Sequence, residues 1–362
     1  MDRVTEPRAR KQGGKQDMVL AGLRRVAPGT RLREALDMLL DAQDGALIVV
    51  GDAKVVEPVC DGGFTIDMPF TPQRLFELAK MDGAIILDAE GDRIVKAGVH
   101  LVPDSGLPTS EVGMRHRTSE RVSRQIDALT IAISKRRNVI NLYLDGNKVT
   151  LEAIEVLLAK ANQAIQTLQN YRNRLDEMLE RLTLLEFQDL VTLADVAEIV
   201  VRFEMARRVQ RAVSRYILQL GTEGLLVRMQ SDELIAGVDE QYALVLRDYA
   251  ASSLARKVTQ VRDRLSELSA DRLLEPESIA RELGLMPGDH AERHLRARGY
   301  RALAQIPMLP GSVVARIIDR FGTLVEVAAA TTKELDAIDG VGVRRARAIH
   351  AGLARLKAHT AV

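Results

Sequence analysis

Short apolar runs alternate with amphipathic segments over the first 150 residues of the chain. Apolar and β-branched runs predict strands at 46–50, 55–59, 84–87, 93–99, 128–133 and 139–144, with 139–144 as the last strand. Helical spacing of apolar positions predicts helices at 32–42, 72–80 and 111–124. Residues 1–18 are polar and charged, which is typical of a disordered tail. The pattern therefore predicts an α/β domain at 19–150, built as a mixed sheet with flanking helices.

The pattern changes from about Val149, where apolar positions begin to recur every three to four residues. This spacing predicts a helix of roughly 35 residues, on the order of 50 Å long. A second helix is predicted from the capping-type sequence at Thr192 to Leu220, a third over 239–268, and a short one at 276–283. Residues 151–290 are therefore expected to form an all-α bundle that acts as a spacer.

The last part of the chain, 291–362, contains a helix, a tight glycine turn and a second helix. Thr331 and Glu334 have the spacing of a capping box. The stretch Gly340-Val341-Gly342 presents backbone N–H groups at the start of the next helix, an arrangement that favours anions, and Arg344, Arg345 and Arg347 follow it.

This stretch resembles the helix-hairpin-helix DNA-binding motif, and 306–311, ending at Gly311, resembles a degenerate paired copy. A plain turn between two helices is the alternative. If the motif binds DNA, its contacts should reach phosphates rather than base edges, so binding should be independent of sequence and sensitive to salt.

Composition narrows the classes of function. The formal net charge is only +1, but residues 291–362 carry 12 Lys and Arg against 6 Asp and Glu. A single cysteine, Cys60, excludes a disulfide framework and a cysteine-based zinc site, and it predicts a reducing, cytoplasmic compartment. No apolar run approaches the length of a membrane span. Tryptophan is absent and aromatic residues make up 3%, which argues against a platform that stacks single-stranded bases.

Candidate chemistry is concentrated in three stretches. Arg115, His116 and Arg117, followed by Thr118, could bind a polyphosphate, although a solvated helix face is the simpler interpretation. Asp82-Gly83-Ala84 lies at the start of a buried strand, where the carboxylate could be a metal ligand or a base, or could belong to an ordinary turn. Ser134 to Arg137 follows a strand, where it could contact phosphate or form a charged turn.

Together, Asp82-Gly83-Ala84 and Arg115-His116-Arg117-Thr118-Ser119 resemble the signature pair of diadenylate cyclase domains. The similarity extends to Gly45–Gly51, Cys60–Phe64 and Val99–Pro103, in the same order along the chain. Over nearly its whole length the sequence resembles the DNA integrity scanning protein family, which are bacterial diadenylate cyclases with a DNA-binding tail.

The resemblance implies that two ATP molecules are condensed into cyclic di-3′,5′-AMP with release of two pyrophosphates. It implies catalytic roles for Asp82, Gly83, Ala84, Arg115, His116 and Arg117, with Asp82 as ligand of Mg²⁺ or Mn²⁺. It implies ATP contacts by Gly83, Leu101, Met114, Arg115, His116, Arg117, Thr118, Ser134 and Arg137. It implies DNA contacts by Gly311, Gly340, Val341, Gly342, Arg344 and Arg345.

The family also implies a homo-oligomer, an octamer, in which cyclase domains face each other, and inhibition of synthesis by branched DNA. Met114 stands where the family often has threonine, so a hydroxyl contact is lost there while a backbone contact would remain. The rival hypothesis is a DNA-binding structural protein with an inactive nucleotide site. A nuclease would need a carboxylate cluster in the C-terminal half, and the sequence has none with metal-ligand spacing.

Overall fold

The computed structural model describes residues 18–135, 137–285 and 291–359. The chain divides into two compact units, Met1–Asn162 with Ser214–Arg228, and Gln163–Val213 with Met229–Val362. The tail predicted at 1–18 lies outside the described residues, apart from Met18, which is helical. The predicted division into 19–150, 151–290 and 291–362 stays a prediction.

The first unit contains an eight-stranded mixed sheet in the order β2-β5-β4-β1-β6-β7-β8, with β3 paired to β5. The strands are β1 (Leu47–Val50), β2 (Cys60–Asp61), β3 (Phe64–Pro69), β4 (Ala84–Leu87), β5 (Arg93–Leu101), β6 (Leu129–Ser134), β7 (Val139–Leu144) and β8 (Asn147–Thr150). Strands β1 and β4 are parallel, whereas β5, β6, β7 and β8 pair with their neighbours in the antiparallel sense.

Helices cover both faces of this sheet, which explains why its central strands are buried throughout. Besides a helical stretch over residues 18–25, the helices include α1 (Arg31–Asp41), α2 (Ala53–Val56), α3 (Pro72–Leu78) and α4 (Met114–Gln125). Leu36 of α1 and Leu75 of α3 share one apolar cluster with Ile48 of β1, while Val122 of α4 packs with Val49 on the other face. Alternate residues of one strand therefore belong to different cores.

Two predictions about this unit are wrong. Residues 55–59, predicted as a strand, form the end of α2 and a 3₁₀ turn, Glu57–Val59. Asp52 caps α2 by accepting from the Lys54 N–H, and the three-residue spacing of Val56 and Val59 lets the helical conformation bury both. The predicted last strand at 139–144 is followed by β8, which completes a hairpin.

The second unit is helical. Its helices include α5 (Ile154–Gln188), α6 (Leu193–Leu220), α7 (Leu225–Ile235), α8 (Val238–Tyr249), α9 (Ala255–Glu267), α10 (Ala270–Leu273) and α11 (Pro276–Leu283), the first three of which also contribute residues to the first unit. The single helix predicted over 239–268 is wrong, because the chain leaves the helix at Ala250 and Ala251 donates its N–H to Leu283 O. The prediction of a helix starting after Thr192 is confirmed by reciprocal bonds between Thr192 and Asp195.

The C-terminal part of this unit, as described over residues 291–359, contains five further helices. They are α12 (Tyr300–Ala304), α13 (Gly311–Phe321), α14 (Leu324–Ala329), α15 (Thr332–Asp336) and α16 (Gly342–His359). The capping box predicted at Thr331 and Glu334 is confirmed. The fold is thus a mixed sheet with helices followed by a helical region, and none of the described helices is long and apolar enough to cross a membrane.

Candidate functional site

One end of the sheet collects nearly all the residues that the sequence predicted for the site. Strands β1 and β4 run in parallel and both begin at this end, β1 two residues after Gly45 and β4 directly after Asp82-Gly83. Because β5 and β6 are antiparallel to them, Leu101 and Ser134 lie where those two strands finish, at the same end. We call this end of the sheet the site edge. The topology therefore brings together stretches that are far apart in sequence, from Gly45 to Ser134.

The Asp82-Gly83 turn packs backbone against backbone with β5. Gly83 has a φ of +107°, and a Cβ there would lie 2.6 Å from the Gly98 carbonyl carbon. Gly98 also has a positive φ, +66°, and the β4–β5 register shifts beside it. Only glycine fits such a close approach, so the neighbouring Asp82 is held in a fixed turn. Its side chain is exposed, and no hydrogen bond or ion pair to it is found within the described ranges.

Arg115 reaches the start of β1. A Cβ added to Gly45 would lie 2.1 Å from Arg115 Nη1, so the guanidinium rests directly on the Gly45 backbone. Helix α4 begins one residue before Arg115, and its N-cap, Gly113, provides no side-chain acceptor. The first N–H groups of α4 thus remain open, next to a guanidinium, which is the arrangement that binds phosphate.

The remaining residues of this cluster differ in exposure. Met114 and Arg117 are exposed, and Thr118 is half-buried. Ser119 is fully buried and donates to Arg115 O, so it supports the helix and is not available to a ligand.

The segment that precedes α4 is fixed to the helix by a buried carboxylate. Glu120, 3% exposed, accepts from Thr109 Oγ1, from the Ser110 N–H and from Arg124 Nη2. Burial raises the pKa of Glu120, but these donors outweigh it, and the net pKa lies below its ordinary value. Arg121 adds a bond from its Nε to Leu107 O. These bonds hold the segment before α4 against the helix that carries Arg115.

His116 belongs to a network that the sequence did not predict. Its Nδ1 lies 3.0 Å from the Tyr143 hydroxyl, which in turn lies 3.1 Å from Glu111 Oε1. Lys148 pairs with Glu111 at 2.7 Å. Burial lowers the pKa of His116, and burial with the Glu111 charge raises the pKa of Tyr143 far above its ordinary value. These partners come from β7, β8 and the segment before α4, so only the fold brings them to the histidine.

The other predicted ATP-contact residues have different environments. Leu101 is 6% exposed and pairs with Cys60 of β2. Ala84 is fully buried, so only its backbone could take part. Ser134 Oγ lies 3.4 Å from the Arg137 N–H, and the Arg137 side chain is exposed. Within the described ranges, no three His, Cys, Asp or Glu side chains are grouped as metal ligands.

Comparison with known proteins shows the family. Residues 33–148 match the model described as "DisA bacterial checkpoint controller nucleotide-binding", and residues 151–291 match the "DisA bacterial checkpoint controller linker region". The chain is 46% identical to the DNA integrity scanning protein DisA of Frankia alni, over 94% of this chain and 95% of that protein. It is 48% identical to the DisA of Symbiobacterium thermophilum over 92% and 95%, and 45% identical to that of Carboxydothermus hydrogenoformans over 96% and 99%.

The chain belongs to the DNA integrity scanning protein (DisA) family. The site edge, including the Asp82-Gly83 turn and the start of α4, lies inside the match to the nucleotide-binding model. In this DisA-family chain the two stretches that carried the resemblance, around Asp82 and Arg115, lie at one edge of one sheet.

The residues predicted to contact DNA lie after residue 291, beyond both matched family models. Gly340 and Gly342 have φ values of +83° and +62°, and Val341 between them is 3% exposed. Gly340 packs on Arg316 of α13, and Arg316 pairs with Asp339 at 3.0 Å. Arg344 is exposed and Arg345 half-buried in the first turn of α16. Gly311, the first residue of α13, is also exposed, and no side chain caps that helix.

Proposed function

We propose that this chain is a diadenylate cyclase that condenses two ATP molecules into cyclic di-3′,5′-AMP, releasing two pyrophosphates, and that it binds DNA through its last two helix pairs. The observation that carries the first part is that Asp82 and Arg115 lie at the starts of two adjacent parallel strands, Asp82 before β4 and Arg115 against Gly45 before β1. Among the described residues no side chain pairs with Asp82, and Arg115 lies in the first turn of a helix whose N-terminus no side chain caps, in a domain whose family model is described as nucleotide-binding.

The reaction requires the 3′-hydroxyl of one ATP to attack the α-phosphorus of another. Arg115, His116 and Arg117 would hold the triphosphate and stabilise the charge that develops on the departing pyrophosphate. Asp82 would act on the hydroxyl side, as base or metal ligand. Gly83 would allow close approach of the nucleotide to the backbone, and Leu101 would line the adenine pocket.

The residues present fit a hard divalent cation, Mg²⁺ or Mn²⁺, at Asp82. Asp82 offers one exposed carboxylate, and magnesium is commonly bound by one or two carboxylates together with substrate phosphates and water. When bound, the cation would lower the charge on the phosphates and polarise the attacked centre.

The symmetry of the product argues for paired subunits. Cyclic di-AMP contains two identical bonds, whereas one chain offers one copy of the site, so the simplest arrangement is two domains facing across a two-fold axis. Three apolar side chains near the site edge are exposed: Val112 by 88%, Met114 by 85% and Phe64 by 63%. Such residues are typical of a surface that a partner covers. We propose a homo-oligomer, an octamer in accord with the family.

The C-terminal geometry supports DNA binding to phosphates. The N-terminus of α13 at Gly311, which no side chain caps, and the first turn of α16 at Gly342, with Arg344 and Arg345, would hold a phosphate backbone without reading bases. The relatives are named DNA integrity scanning proteins, which supports a role in sensing the integrity of DNA.

Incubation of the purified chain with ATP and Mn²⁺, followed by mass spectrometry, tests the proposal. Cyclic di-AMP and pyrophosphate should form in a ratio of one to two. Failure to form the cyclic dinucleotide would favour the rival, a DNA-binding structural protein with an inactive nucleotide site. The mass of the native assembly, measured on the same sample, tests the oligomer.

A further inference from the structure

The hydrogen-bond network behind His116 defines the state of its imidazole ring. Glu111 has a pKa below its ordinary value: burial raises it, but bonds from Lys148 and Tyr143 outweigh the burial. An ionised carboxylate can only accept, so the single proton of the Tyr143 hydroxyl is donated to Glu111. The hydroxyl oxygen is then left as an acceptor, and the group 3.0 Å away that donates to it is Nδ1–H of His116.

We propose that Tyr143, Glu111 and Lys148 are positioning residues that hold the proton of His116 on Nδ1, so that Nε2 meets the ATP phosphates and takes up a proton when ATP binds. This inference rests on the proposed function and deepens it. Among the described residues, no side chain or backbone group bonds to Nε2, so this nitrogen remains available to a ligand. The orienting logic is general, since the partner of one ring nitrogen decides what the other can do.

The charges around the ring explain why ATP would shift its protonation. In the free protein, burial and the positive charges of Lys148, Arg137 and Arg115 lower the pKa of His116, while Glu111 raises it. The imidazole is thus largely neutral near pH 7, and its Nε2 lone pair would repel a phosphate oxygen. The triphosphate neutralises the surrounding cations, so a proton added at Nε2 becomes favourable and turns that nitrogen into a donor.

We call Tyr143, Glu111 and Lys148 the relay. This relay stabilises the imidazolium that forms when His116 takes up a proton. The Tyr143 hydroxyl accepts a hydrogen bond from His116 and donates one to the Glu111 carboxylate. The negative charge of Glu111 would therefore stabilise the positive charge on the ring. Lys148 limits this effect, because it neutralises part of the Glu111 charge while fixing the carboxylate in place. Asn141 Nδ2 also approaches His116 Nδ1, at 3.5 Å, but this contact is longer than the contact with Tyr143.

Two conservative substitutions separate the contributions. Tyr143→Phe keeps the fully buried ring and removes only the hydroxyl. Glu111→Gln keeps an acceptor for that hydroxyl and removes the charge. Tyr171→Phe is the matched control, because Tyr171 lies on α5 in the helical unit and its hydroxyl has no hydrogen bond to any described residue.

The experiment measures binding of 3′-deoxy-ATP with Mg²⁺ by calorimetry, between pH 6 and 8, in buffers of different protonation enthalpy. This nucleotide lacks the attacking hydroxyl, so binding is seen without turnover. The buffer dependence gives the number of protons taken up on binding. The nucleotide releases or takes up the same number of protons with every variant. Subtracting the proton uptake of one variant from that of another therefore leaves only the protein's contribution.

The original chain and Tyr171→Phe should take up part of a proton at pH 7, and their affinity should fall as the pH rises. Both relay variants should take up less, and their affinity should be weaker by ~10-fold, the order expected for one lost bond to a charged group. In Glu111→Gln the fall in affinity should move to lower pH, because the charge that favours the imidazolium is gone.

Several results would overturn the inference. If the relay variants bound more weakly but with unchanged proton uptake, Tyr143 and Glu111 would be merely structural. Unchanged affinity and uptake would remove them from the site altogether. If the original chain did not bind 3′-deoxy-ATP at all, the proposed function would fail, and the relay with it.

Discussion

The contact between Gly45 and Arg115 provides a test of whether Arg115 binds the triphosphate as proposed. In Gly45→Ala the new methyl group would lie 2.1 Å from Arg115 Nη1, whereas carbon–nitrogen contacts are normally near 3.5 Å, so the guanidinium must move by at least about 1 Å. Ile133 O, at 3.2 Å from the same methyl, prevents the backbone from absorbing the change at no cost. A misplacement of about 1 Å can cost up to ~100-fold when geometry decides the interaction.

We therefore expect Gly45→Ala to weaken 3′-deoxy-ATP binding by ~10- to 100-fold, the range of a lost charge-assisted contact. The fold should persist, because the displaced group is the end of an exposed, flexible side chain. Calorimetry gives the affinity, and a melting curve checks the fold.

Arg115→Ala provides the control through a double-mutant cycle. In the Arg115→Ala background, Gly45→Ala should have little further effect on affinity. An equal loss in both backgrounds would mean that the methyl acts through the backbone near Ile133 and not through Arg115. Full affinity in a well-folded Gly45→Ala chain would refute the placement of Arg115 at the triphosphate.

Further substitutions test other parts of the molecule. Asp82→Asn should reduce synthesis of cyclic di-AMP by ~100-fold or more while leaving DNA affinity unchanged; loss of both would show that the roles are misassigned. Gly83→Ala should lower the stability of the sheet unit by about 2–4 kcal/mol in urea unfolding, because its φ is positive and the methyl would meet backbone. Glu120→Gln should lower the free energy of unfolding by about 2–3 kcal/mol above pH 6. Because the pKa of Glu120 is lowered, this difference should disappear as the pH falls through that lowered pKa; a difference that persists in acid would contradict the assignment. Replacing Arg344 and Arg345 by alanine should weaken binding equally for unrelated DNA sequences and reduce the slope of log affinity against log salt by ~0.9 per lost phosphate contact, as measured by fluorescence anisotropy.

Local signals in the sequence were sufficient for much of the fold. The strands at 84–87 and 139–144 and the helix at 276–283 were predicted with their observed bounds, because each is bounded by strong turn or capping residues. Strand β3 gave no signal, since most of its residues are exposed and it is held by pairing with β5. Residues 55–59 were wrongly predicted as a strand because valine favours strands. The helical turn observed there is capped by a single hydrogen bond to Asp52, which is a weak signal in the sequence.

The candidate site likewise contains some residues that the sequence could identify and some that it could not. Asp82 and Arg115 could be found from the sequence, because each lies in a short motif that resembles a known pair. Tyr143 and Glu111 could not, since they are 32 residues apart and their side chains meet only through the pairing of β7 and the packing of α4. A tyrosine within an apolar strand is ordinarily a core residue, and nothing in its neighbourhood along the chain marks its hydroxyl as a partner of a histidine.

The exposure of Val112 and Met114 has a consequence for assembly. These two side chains flank Gly113, and Met114 is bonded directly to Arg115. In the proposed assembly, a neighbouring subunit that covers them must also constrain Arg115, which we propose binds the triphosphate. If that constraint favours nucleotide binding, thermodynamic reciprocity requires that the nucleotide strengthen the association to the same degree. Dilution should therefore split the complex less readily when ATP is saturating than when it is absent.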